Sequence, residues 1–200
     1  MNTIDLLIEG YAKVTDSGWK ASGTTCLIRN DSGVLILTDP GANRVLLMQK
    51  LDELGVQMSD IEYIFLTHLH LDHSLLMGIF TDSKIVNHEA ITNGENGVFT
   101  PEMIPGTDIS IVKTPGHEYA GASLLVPTLE GTVGIVGDVF WFEEGEPSFA
   151  KASDGKEFID LDKKDDFAEK MEVLKESRKK VLELCDWIVP GHGKMFQVKI

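Results

Sequence analysis

THLHLDHS, residues 67–74, sets three histidines and an aspartate within eight residues. A hydrophobic core has no use for imidazoles at that density, whereas metal ions do. In an extended loop, residues i and i+2 point the same way, so His68 and His70 face a common ion. Asp72 and His73 follow directly and point elsewhere, toward a second ion close by. From average residue usage, His-x-His-x-Asp-His arises by chance in roughly one in ten thousand chains of this length, which sets coincidence aside.

The rest of the chain repeats one format around this stretch. Apolar IEYIFLT, 61–67, reads as a strand that runs into it. His117 stands in TPGHE just after ISIVK, Asp138 closes TVGIVGD, and His192 in PGHG follows WIV. Each case is an apolar strand and then a metal-type residue in a Gly- or Pro-containing loop. Strand ends in a layered fold can converge on one edge, so the four segments predict one metal-binding edge. His88 in VNHEA stands outside this format and reads as an ordinary satisfied or solvated side chain.

Other segments supply the frame. TTCLIRN and GVLILTD flank the turn NDSG and predict a hairpin over 23–39. NRVLLMQKLDELG predicts a helix over 43–55 that ends at a glycine. SKIV predicts a short strand at 83–86. DISIVKT, SLLVPT and TVGIVGD predict three more, the last two joined by a turn at Leu129, Glu130 and Gly131. Phe167, Met171, Leu174, Val181 and Leu184 recur at helical spacing and predict a helix over 165–185. Strands before, between and after helices predict a sandwich of sheets with helices outside, α+β or mixed α/β. The pattern leaves the strand order open.

Length and composition bound the function. At 200 residues the chain is expected to form one domain, 1–200. Its 42% hydrophobic and 25% charged residues are ordinary for a globular protein. No apolar run approaches the ~20 residues of a membrane span. The start, MNTIDLLIEGYAK, lacks the basic residues and cleavage site of a signal peptide, so the expected location is the cytoplasm, without a membrane partner. Cys26 and Cys185 lie in TTCLI and LELCDW, without paired spacing, and read as structural thiols. The net charge of −14 opposes long polyanions, because phosphate contacts require a basic surface. Lys179 and Lys180 are the local exception. A small-molecule substrate is expected, nucleic acid is disfavoured, and the oligomeric state stays open.

THLHLDH, TPGHE, VGD and PGHG, in that order, resemble the metallo-β-lactamase-fold hydrolases. ILTDPGANRVLLMQKLDELG adds that family's Asp-x-Gly loop before a helix, at Asp39 and Gly41. The resemblance runs from about residue 22 to the C-terminus. It implies a four-layer αββα sandwich of the α+β class, with two metals at one edge of the sheets. It further implies that His68, His70 and His117 bind the first metal, and that Asp72, His73 and His192 bind the second. Asp138 would bridge both, and Asp39 would brace the ligand loops from behind. DHSLLMGIF, GDVF and ESRKKVLELCDWIVPGHGKMF also resemble the metallo-β-lactamase domain-containing protein 1 subgroup, which is associated with RNA 3′-end processing in animals.

Imidazole and carboxylate ligands suit zinc, and also iron or manganese. Two zinc ions ~3.5–4 Å apart share a bridging hydroxide that forms near neutral pH and attacks carbon or phosphorus. The expected function is therefore dinuclear hydrolysis of an ester, thioester, lactone or phosphodiester. Asp72 would orient the hydroxide and pass its proton to the leaving group. No serine nucleophile is required, so Ser74 and Ser123 read as structural. TDSGWKASG, 15–23, reads as a glycine-containing loop that by resemblance overhangs the metals, with Trp19 as a lid residue. Tyr119, two residues beyond His117, and Lys194, close after His192, are candidate substrate contacts. The aromatic residues of FWFEEGEPSF, 140–149, fit either a pocket wall or core packing.

Two alternatives carry other chemistry. Persulfide dioxygenases hold one iron on ligands like His68, His70 and His117, so a mono-iron oxidoreductase fits the first set. An RNA-processing nuclease of the same fold fits the subgroup resemblance but not the charge. Flavodiiron proteins place a glutamate where this chain has His70. Glyoxalase II-type thioesterases often add a helical domain, for which 200 residues are expected to leave no room. A non-catalytic role fits poorly, because all seven ligand positions are filled.

Overall fold

The runs TCLIR, LILT and YIF are apolar almost throughout, and their two-residue alternation sorts side chains into two separate layers. A computed structural model describes residues 1–146, 150–151 and 157–198 of the chain. The N-terminal half contains β1 (Thr3–Ile8), β2 (Tyr11–Thr15), β3 (Gly18–Ser22), β4 (Thr25–Arg29), β5 (Leu35–Thr38), α1 (Arg44–Glu53), β6 (Tyr63–Phe65), α2 (Leu71–Ser74), β7 (Lys84–Val86), β8 (Ala90–Asn93) and β9 (Asn96–Phe99). There follow β10 (Ser110–Lys113), β11 (Ala122–Thr128), β12 (Gly131–Trp141), β13 (Ala150–Lys151), β14 (Glu157–Phe158), α3 (Met171–Leu184), β15 (Trp187–His192) and β16 (Phe196–Gln197).

Seven strands form one sheet in the order β1-β4-β5-β6-β7-β8-β9, and five form another in the order β10-β11-β12-β15-β16. Cys26, Ile28, Ile36, Tyr63 and Phe65 of the first sheet pack against Leu124, Val126, Val133, Ile135 and Val189 of the second. Their strand neighbours Leu27, Leu37 and Ile64 point the other way, onto Leu47 and Leu51 of α1. Val136, Phe140 and Ile188 of the second sheet face Leu174 and Val181 of α3. Helix, sheet, sheet and helix thus stack in four layers, the αββα sandwich.

Strand direction explains where the ligand-type residues fall. β5, β6 and β7 run parallel in the first sheet, and β12 and β15 run parallel in the second. β10 lies antiparallel to β11, which lies antiparallel to β12, so β10 shares the direction of β12. The C-terminal ends of these strands meet at one edge of the sandwich. Asp39, His68, His117 and His192 sit at or just beyond those ends, and Asp138 lies shortly before the end of β12.

Three sequence expectations need correction. TDSGWKASG is not a loop: most of it forms the β2–β3 hairpin, registered from Tyr11↔Ser22 to Thr15↔Gly18. The glycine read as a loop marker serves the turn at its tip. The helix expected from residue 165 begins at Met171, because residues 165–170 are bonded instead to the loop of His117. Phe167 consequently stands off the helix and is 58% exposed. Residues 71–74 form a helical turn rather than an extended loop, with the amides of His73 and Ser74 donating to the His70 carbonyl. β1 and the exposed β8–β9 hairpin had no counterpart in the sequence reading. Among the described residues no helix is long and apolar enough to cross a membrane.

Candidate metal centre

His68 leaves the end of β6 in extended backbone, and His70 caps the short turn of α2. That turn separates the next two side chains. Asp72 remains half-buried at a cavity wall, while His73 is fully buried beneath it. Asp138 enters through an irregularity in β12, where Gly137 pairs with Pro190 but Trp141 pairs with His192. Four steps along β12 thus match two along β15, and the surplus lets both Asp138 and Trp141 face the same cavity. Gly191 passes so close to Asp138 Oδ1 that a β-carbon there would overlap it.

Two sets of donors converge. In the first, His68 Nε2 lies 3.2 Å from His70 Nδ1, which lies 3.1 Å from His117 Nε2. Asp138 Oδ2 completes the set at 3.2 Å from His117 Nε2 and 3.7 Å from His68 Nε2. In the second, His192 Nε2 stands 3.2 Å from Asp72 Oδ2 and 3.3 Å from His73 Nε2. Here the other oxygen, Asp138 Oδ1, lies 3.3 Å from His73 Nε2 and 3.6 Å from His192 Nε2. Four donors on a tetrahedral cation at ~2.1 Å stand roughly 3.4 Å apart, so both sets have the spacing of a coordination shell. Asp138 Oδ1 is buried yet accepts no well-formed hydrogen bond among the described residues, an arrangement that a bound cation explains. The donors present therefore fit metal ions.

The nitrogens facing away from the centre are held from behind. His73 Nδ1 contacts Asp39 Oδ2 at 2.8 Å, and His117 Nδ1 contacts Asp165 Oδ2 at 2.7 Å. Thr67 Oγ1 stands 3.1 Å from His68 Nδ1, and Glu118 Oε1 stands 3.6 Å from His70 Nε2. Asp39 also lies close enough to His68 and His73 to suggest a ligand. Its Oδ1, however, accepts from the Thr67 amide at 2.8 Å, and its Oδ2 from the Thr67 hydroxyl at 2.6 Å. Those bonds and the one to His73 make Asp39 a brace.

Without bound cations the cluster keeps protons. Burial alone would lower His73, but Asp138 and Asp39 hold it well above the usual histidine range. Burial likewise opposes His192, yet Asp138 and Asp72 push it up to about 9. His117 is raised against burial, chiefly by its hydrogen bond to Asp165. His68 goes the other way, held well below its ordinary value by burial and then by His73. Burial would raise Asp138 and Asp72, but the imidazoles outweigh it: His73 then His192 hold Asp138 well below the usual carboxylate range, and His192 lowers Asp72.

A cavity of about 310 Å³ opens directly onto the two sets. Ala12, Val14, Trp19 and Ala21 of the β2–β3 hairpin form one wall. Trp141, Leu71 and Phe167 form the rest of its apolar lining. Tyr119 and Lys194 are exposed and do not line it; the Tyr119 ring turns toward His88 instead, 6.3 Å between centroids. Phe140 and Phe142 pack in the core, whereas Phe149 lies outside the described residues. Sequence reading missed Asp165, Glu118 and Phe167 as parts of the site. Glu118 follows His117 directly in TPGHE, and adjacency was its available signal. Asp165 had none, since its KKDDF surroundings read as a solvated helix start.

The sequence pattern of the Metallo-beta-lactamase superfamily matches residues 19–192. The chain is 32% identical over 206 residues to metallo-beta-lactamase domain-containing protein 1 of Xenopus laevis, covering 98% of this chain and 82% of that one. The Rattus norvegicus protein of the same name is 31% identical over 175 residues, 82% of this chain and 63% of its own length. This chain thus spans less than two thirds of that relative. A crystal structure from Thermotoga maritima has a TM-score of 0.70 at 19% identity, covering 98% of this chain and 99% of that one, and bears on the fold alone.

Proposed function

The chain belongs to the metallo-β-lactamase superfamily, and on that premise we propose a hydrolase that works with two divalent metal ions. The observation that carries this reading is the split of Asp138, whose Oδ2 faces His68 and His117 while Oδ1 faces His73 and His192. His68, His70 and His117 would hold one ion, Asp72, His73 and His192 the other, and Asp138 both. Five imidazoles and two carboxylates without a thiolate suit zinc, with iron or manganese as alternatives. When bound, such ions polarise a substrate oxygen and make water nucleophilic near neutral pH.

The chain's own residues supply the rest. Asp72 is the carboxylate of the set that both lines the cavity and stays partly exposed. From that wall it is placed to take the proton of the attacking water and return it to the leaving group. The cavity wall favours an uncharged apolar group beside the scissile bond. Among the described residues Lys13 is the one lysine or arginine that lines it, and it is paired with Glu144 at 3.6 Å. These features support an ester, thioester or lactone over a phosphodiester, and a small molecule over nucleic acid.

The test is a screen of metal-replete protein against carboxylic ester, thioester, lactone, β-lactam and phosphodiester substrates. Turnover is expected on an acyl substrate with an apolar group. It should vanish in Asp72→Ala, which keeps its fold and loses affinity for one metal. Wild-type turnover by that variant, or one iron per chain with oxygen consumed on a persulfide, would overturn the reading.

A further inference from the structure

His117 is placed less by its own strand than by residues far along the chain. β10, which precedes it, is only half-buried. The loop that carries it is gripped from the C-terminal side. The amides of Glu169 and Lys170 donate to the carbonyls of His117 and Gly116, at 3.0 and 2.9 Å. Ser177 Oγ on α3 donates to the Pro115 carbonyl at 2.6 Å, and the Tyr119 amide donates to Glu169 Oε2 at 2.6 Å. Gly116, at φ 128°, presses against the Leu174 backbone where any β-carbon would collide. Asp165, buried in the same segment, sets the His117 ring through Nδ1 while its Oδ1 accepts from the Phe167 amide at 2.9 Å.

Segment 159–170 has no regular secondary structure of its own to fix Asp165. What fastens it is Arg178, an α3 side chain only 1% exposed. Its Nη1 donates to the carbonyls of Leu161 and Lys163, at 3.0 and 2.7 Å, and its Nε donates to the carbonyl of Val139 at 3.0 Å. Val139 directly follows Asp138. One planar guanidinium thus joins the segment that orients His117 to the strand that carries Asp138. A buried arginine whose contacts are backbone carbonyls on two elements is costly to desolvate. Its guanidinium also lies over the Phe140 ring, 5.6 Å from the centroid, so β12 anchors the side chain while its remaining bonds hold the segment that orients His117.

We propose that Arg178 is a positioning residue for the metal centre, latching the Asp165 segment to the Asp138 strand and so setting metal affinity at the three-histidine set. The proposal rests on the metal-binding reading of that set. Partners behind metal-bound histidines typically change affinity by ~10–100-fold when removed, and a latch acting through such a partner inherits that scale.

The experiment compares Arg178→Met, Asp165→Asn and the double variant of the full chain. Zn²⁺ dissociation constants are measured for both sites by competition with a chromophoric chelator, beside melting of the metal-free proteins. Each single variant should weaken the three-histidine site by ~10–100-fold and leave the Asp72, His73 and His192 site near wild type. The double variant should lose little more than Asp165→Asn alone, because both act on the same ring. Arg178→Lys keeps the charge without the fork; it should show a smaller loss at the same site, and it replaces Arg178→Met if that variant fails to fold. Wild-type affinity in the Arg178 variants, equal loss at both sites, or losses that multiply in the double variant would overturn the proposal. Wild-type protein that binds none of Zn²⁺, Fe²⁺ and Mn²⁺ would overturn this proposal and the hydrolase reading together, whereas two bound ions with an indifferent Arg178 would overturn this proposal alone.

Discussion

The edge that carries the seven donors and the hairpin that faces it are built in opposite ways. All the donors but His117 belong to or follow the buried strands β6, β12 and β15, and four of the five imidazoles are approached from behind by Asp39, Thr67, Glu118 or Asp165. The β2–β3 hairpin belongs to neither main sheet, and its Trp19 is 76% exposed although it lines the cavity. One region is fixed before any ligand arrives. The other presents exposed apolar surface to the cavity. The difference teaches where chemistry and selectivity should separate: changes at the edge should alter metal content and rate, and changes in the hairpin should alter substrate affinity.

The strongest break would come at Asp138, the residue common to both sets. Asp138→Ala should reduce metal content from the proposed two ions per chain to one or fewer. Loss of that polarisation is worth several kcal/mol, roughly 10³-fold or more in turnover, as steady-state kinetics with elemental analysis would show. A smaller effect is expected one layer back. Asp39→Asn should weaken the Asp72, His73 and His192 set by ~10–100-fold, read by chelator competition, with the other set retained. In the hairpin, Trp19→Ala should raise KM for an apolar acyl substrate by up to about tenfold and leave kcat and metal content unchanged. If Trp19→Ala altered metal content instead, the division between the two regions would fail.

The smallest effect concerns protons. His192 is pushed to about 9 in the metal-free fold, against an ordinary 6.5. A raised histidine adds stability that is complete below pH 6.5 and fades as pH climbs through about 9. His73 shifts in the same direction. His68, held low, acts in the opposite sense and only below its ordinary value. Metal-free protein should therefore melt at progressively lower temperature from pH 6.5 to 9, and metal-loaded protein should lack that slope, since ligation displaces the protons. Calorimetry in matched buffers measures both.

The same division governed what could be read from the sequence. Ligand types at the ends of buried strands leave a local signature, because an apolar run followed by His or Asp in a glycine loop is visible within about ten residues. A sandwich of sheets with helices outside was legible for a similar reason, through runs such as IEYIFLT and TVGIVGD, whereas the four-layer αββα order came from the family resemblance. The hairpin was hidden because Gly18 and the polar Asp16 and Ser17 mark a turn without revealing the strands beside it. Asp165 was hidden because its partner lies 48 residues away and its own neighbours are charged. Phe167 matched the helical spacing by coincidence, and the demands of the His117 loop overrode it. Arg178 carries no local signal, since nothing in its neighbourhood of sequence distinguishes a buried guanidinium from a solvated one. Tyr119 and Lys194 were placed near the cavity by adjacency to ligands, and their side chains turn elsewhere.

The most direct measurement is a titration of metal-free protein with Zn²⁺, following bound metal and acyl-substrate hydrolysis together. Binding should saturate at two ions per chain, with hydrolysis reaching its plateau only at the second. Saturation at one ion, or full activity at the first with no change at the second, would contradict the two-ion reading.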